Sequence, residues 1–146
     1  MICRKLTVVF LVLMMIGTPV FGQTAAAEAA AERAKKQKEL DEQIVTLLDR
    51  TIADIGGLKL PQNRAVINAL TGDIYWKYDS KRSRELFRNS AAELVNYQAD
   101  FEREKQESTM PGLVIPYDSN DPRFDVLNLI GQRDAELGLE LMAQTR

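Results

Sequence analysis

The sequence predicts an all-α fold made of antiparallel helical hairpins, and three observations support this. Apolar residues recur every three or four positions through most of residues 40–146, a spacing that places side chains on one face of a helix. Residues that stop or start helices, such as Gly56-Gly57 and Asp121-Pro122, separate these stretches. The short Asp79-Ser80 turn then pairs the two helices on either side of it antiparallel. A small helical bundle satisfies the same pattern.

The first 22 residues have the features of a secretory signal peptide. Arg4 and Lys5 form a short positive region, and residues 6–16 are almost wholly apolar. Val20-Phe21-Gly22 provides suitable residues before a cleavage point, so we expect the exported chain to begin at Gln23. The apolar run is shorter than the roughly 20 residues that a membrane span needs. Membrane contact is expected only through this segment, and only if it stays uncleaved.

Cysteine usage and charge narrow the class of protein. Cys3 is the only cysteine and is removed with the signal, so we expect no disulfide in the exported chain. This fits a bacterial periplasmic or secreted protein better than a small extracellular animal domain. Loss of Arg4 and Lys5 makes the remaining chain two charges more negative than the formal net charge of −2. Such an acidic balance argues against nucleic-acid binding.

A helical segment rich in Ala and charged residues precedes the packed domain. Residues 23–39 have no large apolar side chain, but Ala, Glu, Lys, Gln and Arg all favour helix. Glu32 and Lys36 are spaced to form an ion pair one helical turn apart. We therefore predict a solvated helical lead-in over residues 23–39 and a helical-hairpin domain over residues 40–146.

Three apolar faces define the first three packed helices. The first helix is predicted to bury Leu40, Ile44, Leu47, Leu48, Thr51, Ile52 and Ile55. Gly56-Gly57 is predicted to end it in the left-handed conformation. The second helix runs from Pro61 to about Tyr78 and is apolar around more than half of its circumference, so we expect it to be buried between neighbours. The third helix, residues 81–107, is predicted to bury Ser83, Leu86, Phe87, Ser90, Ala91, Leu94, Tyr97, Gln98 and Phe101.

Two shorter helices are predicted after a loop at residues 108–120. Asp121-Pro122 opens the first of them, which is expected to face inward through Phe124, Leu127 and Ile130. Asp134 is expected to cap the second. Its inward residues are predicted to be Leu137, Gly138, Leu141 and Met142.

The chain also resembles itself at a shift of 55 residues. Residues 79–87 and 134–142 share Asp, Glu and Leu at matching positions, a small residue at Ser83 and Gly138, and a large apolar residue at Phe87 and Met142. One physical rule explains both segments. A capped helix start is followed by a small residue that allows close helix approach and then by a bulky residue that fills the groove.

These residues are similar to the tetratricopeptide family of helical repeats. Gly72-Asp-Ile-Tyr75 resembles that family's Gly-x-x-Tyr, and Ser83-x-x-x-Phe87-x-x-Ser90 resembles its Ala-x-x-x-Phe-x-x-Ala. The period of 55 residues is longer than the family's period of about 34, and Ser replaces the usual Ala. The resemblance implies a solenoid-like arrangement of hairpins, as a short relative or a fragment of a longer array. It also implies contact with proteins through a concave helical surface.

The residue types that support catalysis are mostly missing. The chain has no histidine, which removes the commonest general base and metal ligand. No Gly-x-Ser-x-Gly motif and no phosphate-binding Gly-rich loop occurs. Asp118-Ser-Asn120 begins like a calcium loop, but Pro122 stands where the third ligand is needed, so a turn leading into a helix is the better interpretation. We expect no enzyme activity, no cofactor and no metal site.

A basic ridge is the candidate site for contact with a partner. Lys77, Lys81, Arg84 and Arg88 recur at helical spacing, and a cluster of Glu102, Glu104 and Glu107 lies at the other end of the third helix. This order is unfavourable for the helix dipole, which prefers acids first and bases last. The ridge predicts contact with an acidic partner, or head-to-tail self-association. The alternative is a solvated face whose charges meet neighbours such as Glu85 and Asp73.

The sequence therefore predicts an exported, non-catalytic interaction or scaffold protein whose protein partner is unknown. The alternative function is a helical bundle that binds a small ligand or peptide in a pocket near Trp76. Tyr75, Trp76 and Tyr78 could line such a pocket, but aromatic residues at helical spacing beside a turn are more often part of a core.

Overall fold

The computed structural model describes residues 21–107 and 121–145, which contain five helices and no strand. They are α1 (Phe21–Ile55), α2 (Pro61–Tyr75), α3 (Ser80–Glu107), α4 (Arg123–Arg133) and α5 (Ala135–Gln144). The predicted all-α class is confirmed. The described residues exclude most of the predicted signal, the loop at residues 108–120 and the start of the rejected calcium loop.

The chain divides into two units between Glu42 and Gln43. In the first unit, α1 is a solvated helix whose residues 26–40 are all exposed. The ion pair between Glu32 and Lys36 spans 2.8 Å from Oε1 to Nζ, as the sequence predicts. The predicted helical state of residues 23–39 is likewise confirmed.

In the second unit, the last turns of α1 pack through a narrower stripe than the sequence predicts. Leu48 and Ile55 are buried, and Leu48 belongs to a small cluster with Tyr75 and Leu86. Leu40 and Leu47 are exposed, so their predicted inward placement is wrong. Leu47 directly precedes Leu48 and so points about 100° away from it around the helix, outside the stripe.

The Gly56-Gly57 pair ends α1 as predicted, but by a different mechanism. Neither glycine has a positive φ, so the predicted left-handed ending is wrong. The chain turns instead through backbone hydrogen bonds between residues three positions apart. The N–H of Gly57 donates to the carbonyl oxygen of Asp54, and that of Leu58 donates to Ile55, both at 3.0 Å. Pro61 then stands at the first position of α2, as predicted.

Helices α2 and α3 form the predicted antiparallel hairpin. Ser83 Oγ donates to the carbonyl oxygen of Gly72, and Ser90 Oγ donates to that of Ala65, both at 2.6 Å. Ser90 lies seven residues after Ser83 on α3, whereas its partner Ala65 lies seven residues before Gly72 on α2. The two helices therefore run antiparallel. Asp79 caps α3 by accepting from the N–H groups of the first turn.

The exposed side of α2 differs from the prediction. Leu70 and Ile74 are exposed, whereas the polar side chains of Asn68 and Thr71 are buried. The expectation that this helix is buried between neighbours is therefore wrong for one of its faces. The number of apolar residues in α2 overestimates how much of the helix is buried, because small and polar residues form much of its contact surface.

Helices α4 and α5 complete the main core by packing on the first hairpin. The buried cluster consists of Ala65, Ala69, Phe87, Ala91, Leu94, Val126, Ile130, Leu137 and Leu141. Asp134 caps α5 as predicted, because its Oδ1 accepts from the Leu137 N–H at 3.1 Å. Phe124 and Met142 are exposed, so their predicted inward placement is wrong. Val126 takes the core position expected of Phe124, since burial on α4 follows Val126 and Ile130, one turn apart.

Candidate partner-contact surface

The four residues of the basic ridge are all exposed, but they do not form one helical line. Lys77 lies in the turn after α2, whereas Lys81, Arg84 and Arg88 follow one another on α3. The first turn of α3 has no acidic residue, so its basic charges meet an unfavourable helix dipole. The Asp79 carboxylate at the N-cap offsets part of this cost.

Arg84 has a structural role within the ridge. Its Nε donates to Asp134 Oδ2 at 2.7 Å, and its guanidinium carbon lies 5.6 Å from the centroid of the Trp76 ring. The pKa of the Asp134 carboxyl is lowered, first by the hydrogen bond from the Leu137 N–H and then by Arg84. Arg84 thus joins α3 to the capped start of α5.

The side chains of the other ridge residues make fewer contacts than that of Arg84. Lys77 Nζ lies 4.9 Å from the centroid of the Tyr78 ring. Within residues 21–107 and 121–145, neither Lys81 nor Arg88 forms a side-chain ion pair. Their carboxylate neighbours are used elsewhere, because Glu85 pairs with Arg82 and Asp73 pairs with Arg133. Lys81 and Arg88 are therefore the ridge positions most available to a partner.

The aromatic residues near the turn serve mainly in packing. Tyr75 is buried, and its hydroxyl donates to Asp49 Oδ1 at 3.0 Å. Burial, together with this hydrogen bond, raises the pKa of Tyr75. Trp76 stacks on Phe87 with ring centroids 6.2 Å apart and lies under Arg84. These contacts support the predicted core role of Tyr75 and Trp76, while the pocket near Trp76 stays a prediction.

An exposed apolar surface that helical periodicity does not predict lies on the second hairpin, which α4 and α5 form. Phe124 is 77% exposed, Leu139 is 67% exposed and Met142 is 44% exposed. We call these three residues the outer face. The signal for it was present in the sequence, because α5 has apolar residues on nearly every side, more than one core contact can cover.

Helices α4 and α5 approach each other closely at two glycines. A Cβ added to Gly138 would lie 2.9 Å from Gly131 Cα, so the two backbones are in direct contact. Phe124 lies two turns back along α4 from Gly131, and Met142 lies one turn onward along α5 from Gly138. Phe124 on α4 and Met142 on α5 are both exposed on the hairpin in which these glycines meet.

Residues 21–107 and 121–145 contain no group of three or more His, Cys, Asp or Glu side chains placed to hold a metal ion. In the same ranges, no helix has the length and apolar character needed to cross a membrane. Comparison with known proteins finds no matching family model, no matching curated protein and no matching solved structure.

Proposed function

We propose that this protein is an exported, non-catalytic interaction or scaffold protein that presents the surfaces of its helical hairpins to a protein partner. The observation that carries the proposal is the outer face. Large apolar side chains remain in solvent there although the hairpin already has a buried core of Val126, Ile130, Leu137 and Leu141. Exposed apolar clusters of this kind are typical of protein-binding surfaces.

Composition supports the non-catalytic part of the proposal. The chain has no histidine, and its single cysteine lies within the predicted signal. A tetratricopeptide-like relationship is part of the same proposal. Its support is that the motif residues Gly72, Ser83, Phe87 and Ser90 are all buried where α2 meets α3.

Export is supported by the sequence of residues 1–22 and has a direct test. N-terminal sequencing of the protein recovered from the exported fraction is expected to begin at Gln23. Recovery of an intact Met1 in the membrane fraction would replace the soluble exported form with a membrane-anchored one.

Affinity capture from the exported fraction tests the interaction role. The wild-type chain is compared with Lys81→Glu/Arg88→Glu on the ridge and with Phe124→Ser/Leu139→Gln on the outer face. Arg84 is left unchanged because its loss would also disturb the contact with Asp134. The proposal expects a protein that the wild type retains and at least one variant loses. Identical recovery by all three chains, or no recovered protein, would contradict it.

A further inference from the structure

Helix α5 is apolar around most of its circumference. Its only polar side chains are Glu136, Glu140 and Gln144, which follow one another at intervals of four and so form a single stripe. Leu137, Gly138 and Leu141 are buried on the inner side. Ala135, Leu139, Met142 and Ala143 are exposed. A helix with so little polar surface is normally covered on both sides, which indicates that something packs on the outer face.

The outer face has exposed apolar side chains on both α4 and α5. Leu139 and Met142 are three residues apart on α5, so they lie on one side of that helix. Phe124 is exposed on α4, the helix whose Gly131 contacts Gly138 of α5. Exposed apolar side chains on two helices that contact each other match the way an amphipathic helix docks by its apolar stripe.

The charges around the outer face are acidic. Asp125, Glu136 and Glu140 are exposed, and none of them forms an ion pair within residues 21–107 and 121–145. The basic residues of the same hairpin are engaged, because Arg123 pairs with Asp121 and Arg133 pairs with Asp73.

The end of α5 adds to this acidic character. Its last turn has no basic residue to offset the negative end of the helix dipole. A second copy docked through the same face would bring carboxylates against carboxylates, which is unfavourable. The charge pattern instead favours a partner that carries cations beside its apolar stripe.

We propose that the outer face binds an amphipathic helix of a partner protein, with the apolar stripe of that helix on Phe124, Leu139 and Met142 and with Lys or Arg beside Glu136 and Glu140. This inference deepens the proposed interaction role and rests on it. It names the outer face rather than the basic ridge as the surface that binds a helix.

Two designed peptides of about 18 residues, long enough to form a helix in contact with a protein, test this proposal. Both carry the same Leu stripe, and the flanking residues are Lys in one and Glu in the other. Binding of each labelled peptide to the full chain is followed by fluorescence anisotropy. The Lys peptide is expected to bind at least about 10-fold more tightly than the Glu peptide, a difference of about 1.4 kcal/mol.

Variants locate the binding on the chain. Phe124→Ser/Leu139→Gln is expected to weaken binding of the Lys peptide by about 10-fold or more, and Glu136→Lys/Glu140→Lys is expected to favour the Glu peptide instead. Leu70→Gln/Ile74→Gln removes two exposed apolar side chains from α2 and is the matched apolar control. Glu102→Lys/Glu104→Lys changes the net charge equally and is the matched charge control. Neither control should alter binding.

Three results would overturn the proposal: no binding of the Lys peptide, equal binding of both peptides, or equal weakening by the outer-face and control variants. Circular dichroism of each variant shows whether it keeps its helical content. All substituted side chains are exposed, so the fold should be retained. If peptide binding fails while affinity capture depends on Lys81 and Arg88, the interaction role stands and only the outer-face assignment falls.

Discussion

Ser83 Oγ donates a 2.6 Å hydrogen bond to the carbonyl oxygen of Gly72, which joins α3 to the backbone of α2. Gly72 has no room for a side chain there, because an added Cβ would lie 2.8 Å from Cε1 of Phe87. The hydroxyl, the glycine and the buried ring therefore fit together as one contact.

Removal of the Ser83 hydroxyl should cost a modest amount of stability. The Gly72 carbonyl keeps its bond from the Trp76 N–H, so Ser83→Ala leaves no acceptor without a partner. We expect a loss of about 1 kcal/mol in the free energy of unfolding, measured by urea denaturation. Ser90→Ala, seven residues along α3, should behave alike. The control Ser80→Ala removes an exposed hydroxyl, and a loss as large as that of Ser83→Ala would contradict the assigned role of the bond.

The glycine contact between α4 and α5 gives a prediction with a built-in control. Gly138→Ala places a Cβ 2.9 Å from backbone, which cannot rotate away, so we expect destabilisation of about 1–3 kcal/mol. A Cβ on Gly131 meets nothing within 4 Å, and Ala favours helix over Gly. Gly131→Ala should therefore be neutral or stabilising by up to about 1 kcal/mol. Thermal unfolding of both variants measures this, and equal effects would argue against the contact.

Asp134 and Glu93 should make the free energy of unfolding decrease as the pH becomes acidic. The Leu137 N–H and Arg84 lower the pKa of Asp134 below its ordinary 3.8, and the hydrogen bond from Arg64 lowers the pKa of Glu93 below its ordinary 4.5. Each carboxyl binds a proton more readily in the unfolded chain, so protonation favours unfolding. This stabilisation should be complete above the ordinary values and should decrease as the pH falls through the lowered ones.

Urea denaturation at several pH values between 6 and about 2 measures the acid effect. Asp134→Asn keeps an oxygen that can cap α5 but has no carboxyl to titrate, so its stability should fall less on acidification than that of the wild type. A pH dependence identical to the wild type would show that Asp134 does not contribute.

The ion pair between Arg64 and Glu93 should stabilise the folded state more than a surface ion pair does. Arg64 donates to Glu93 Oε2 at 2.7 Å and to the carbonyl oxygen of Leu58 at 2.8 Å, which ties the α1–α2 connection to α3. Both partners of the ion pair are only 22% exposed. A double-mutant cycle with Arg64→Ala and Glu93→Ala should give a favourable coupling that exceeds the coupling of an exposed pair. The exposed pair Lys38–Glu42, at 3.9 Å, is the control and should give a coupling near zero.

Local chemistry explains which parts of the fold could be predicted. The caps at Asp79 and Asp134 and the end of α1 at Gly56-Gly57 follow from residues that act on their own neighbours in the chain. The face of a short helix is harder to predict. In α5, apolar residues fit several faces equally, so Met142 could be placed inward as readily as Leu137.

The candidate site shows the same limit. Exposure of Lys81 and Arg88 could be predicted from charge and spacing, because an isolated charge is costly to bury. The pairing of Arg84 with Asp134 could not, because it joins residues 50 positions apart and depends on how the hairpins pack. The outer face could not be predicted for the same reason, because only the packing of α4 on the core decides that Val126 is buried and Phe124 is exposed.

The backbone contact of Gly131 with Gly138 lies on a different set of residues from the apolar side chains that the second hairpin exposes. The two helices of that hairpin meet there through backbone atoms, while the side chains of Phe124, Leu139 and Met142 remain exposed to solvent. Substitutions could therefore accumulate on the displayed surface without opening the hairpin.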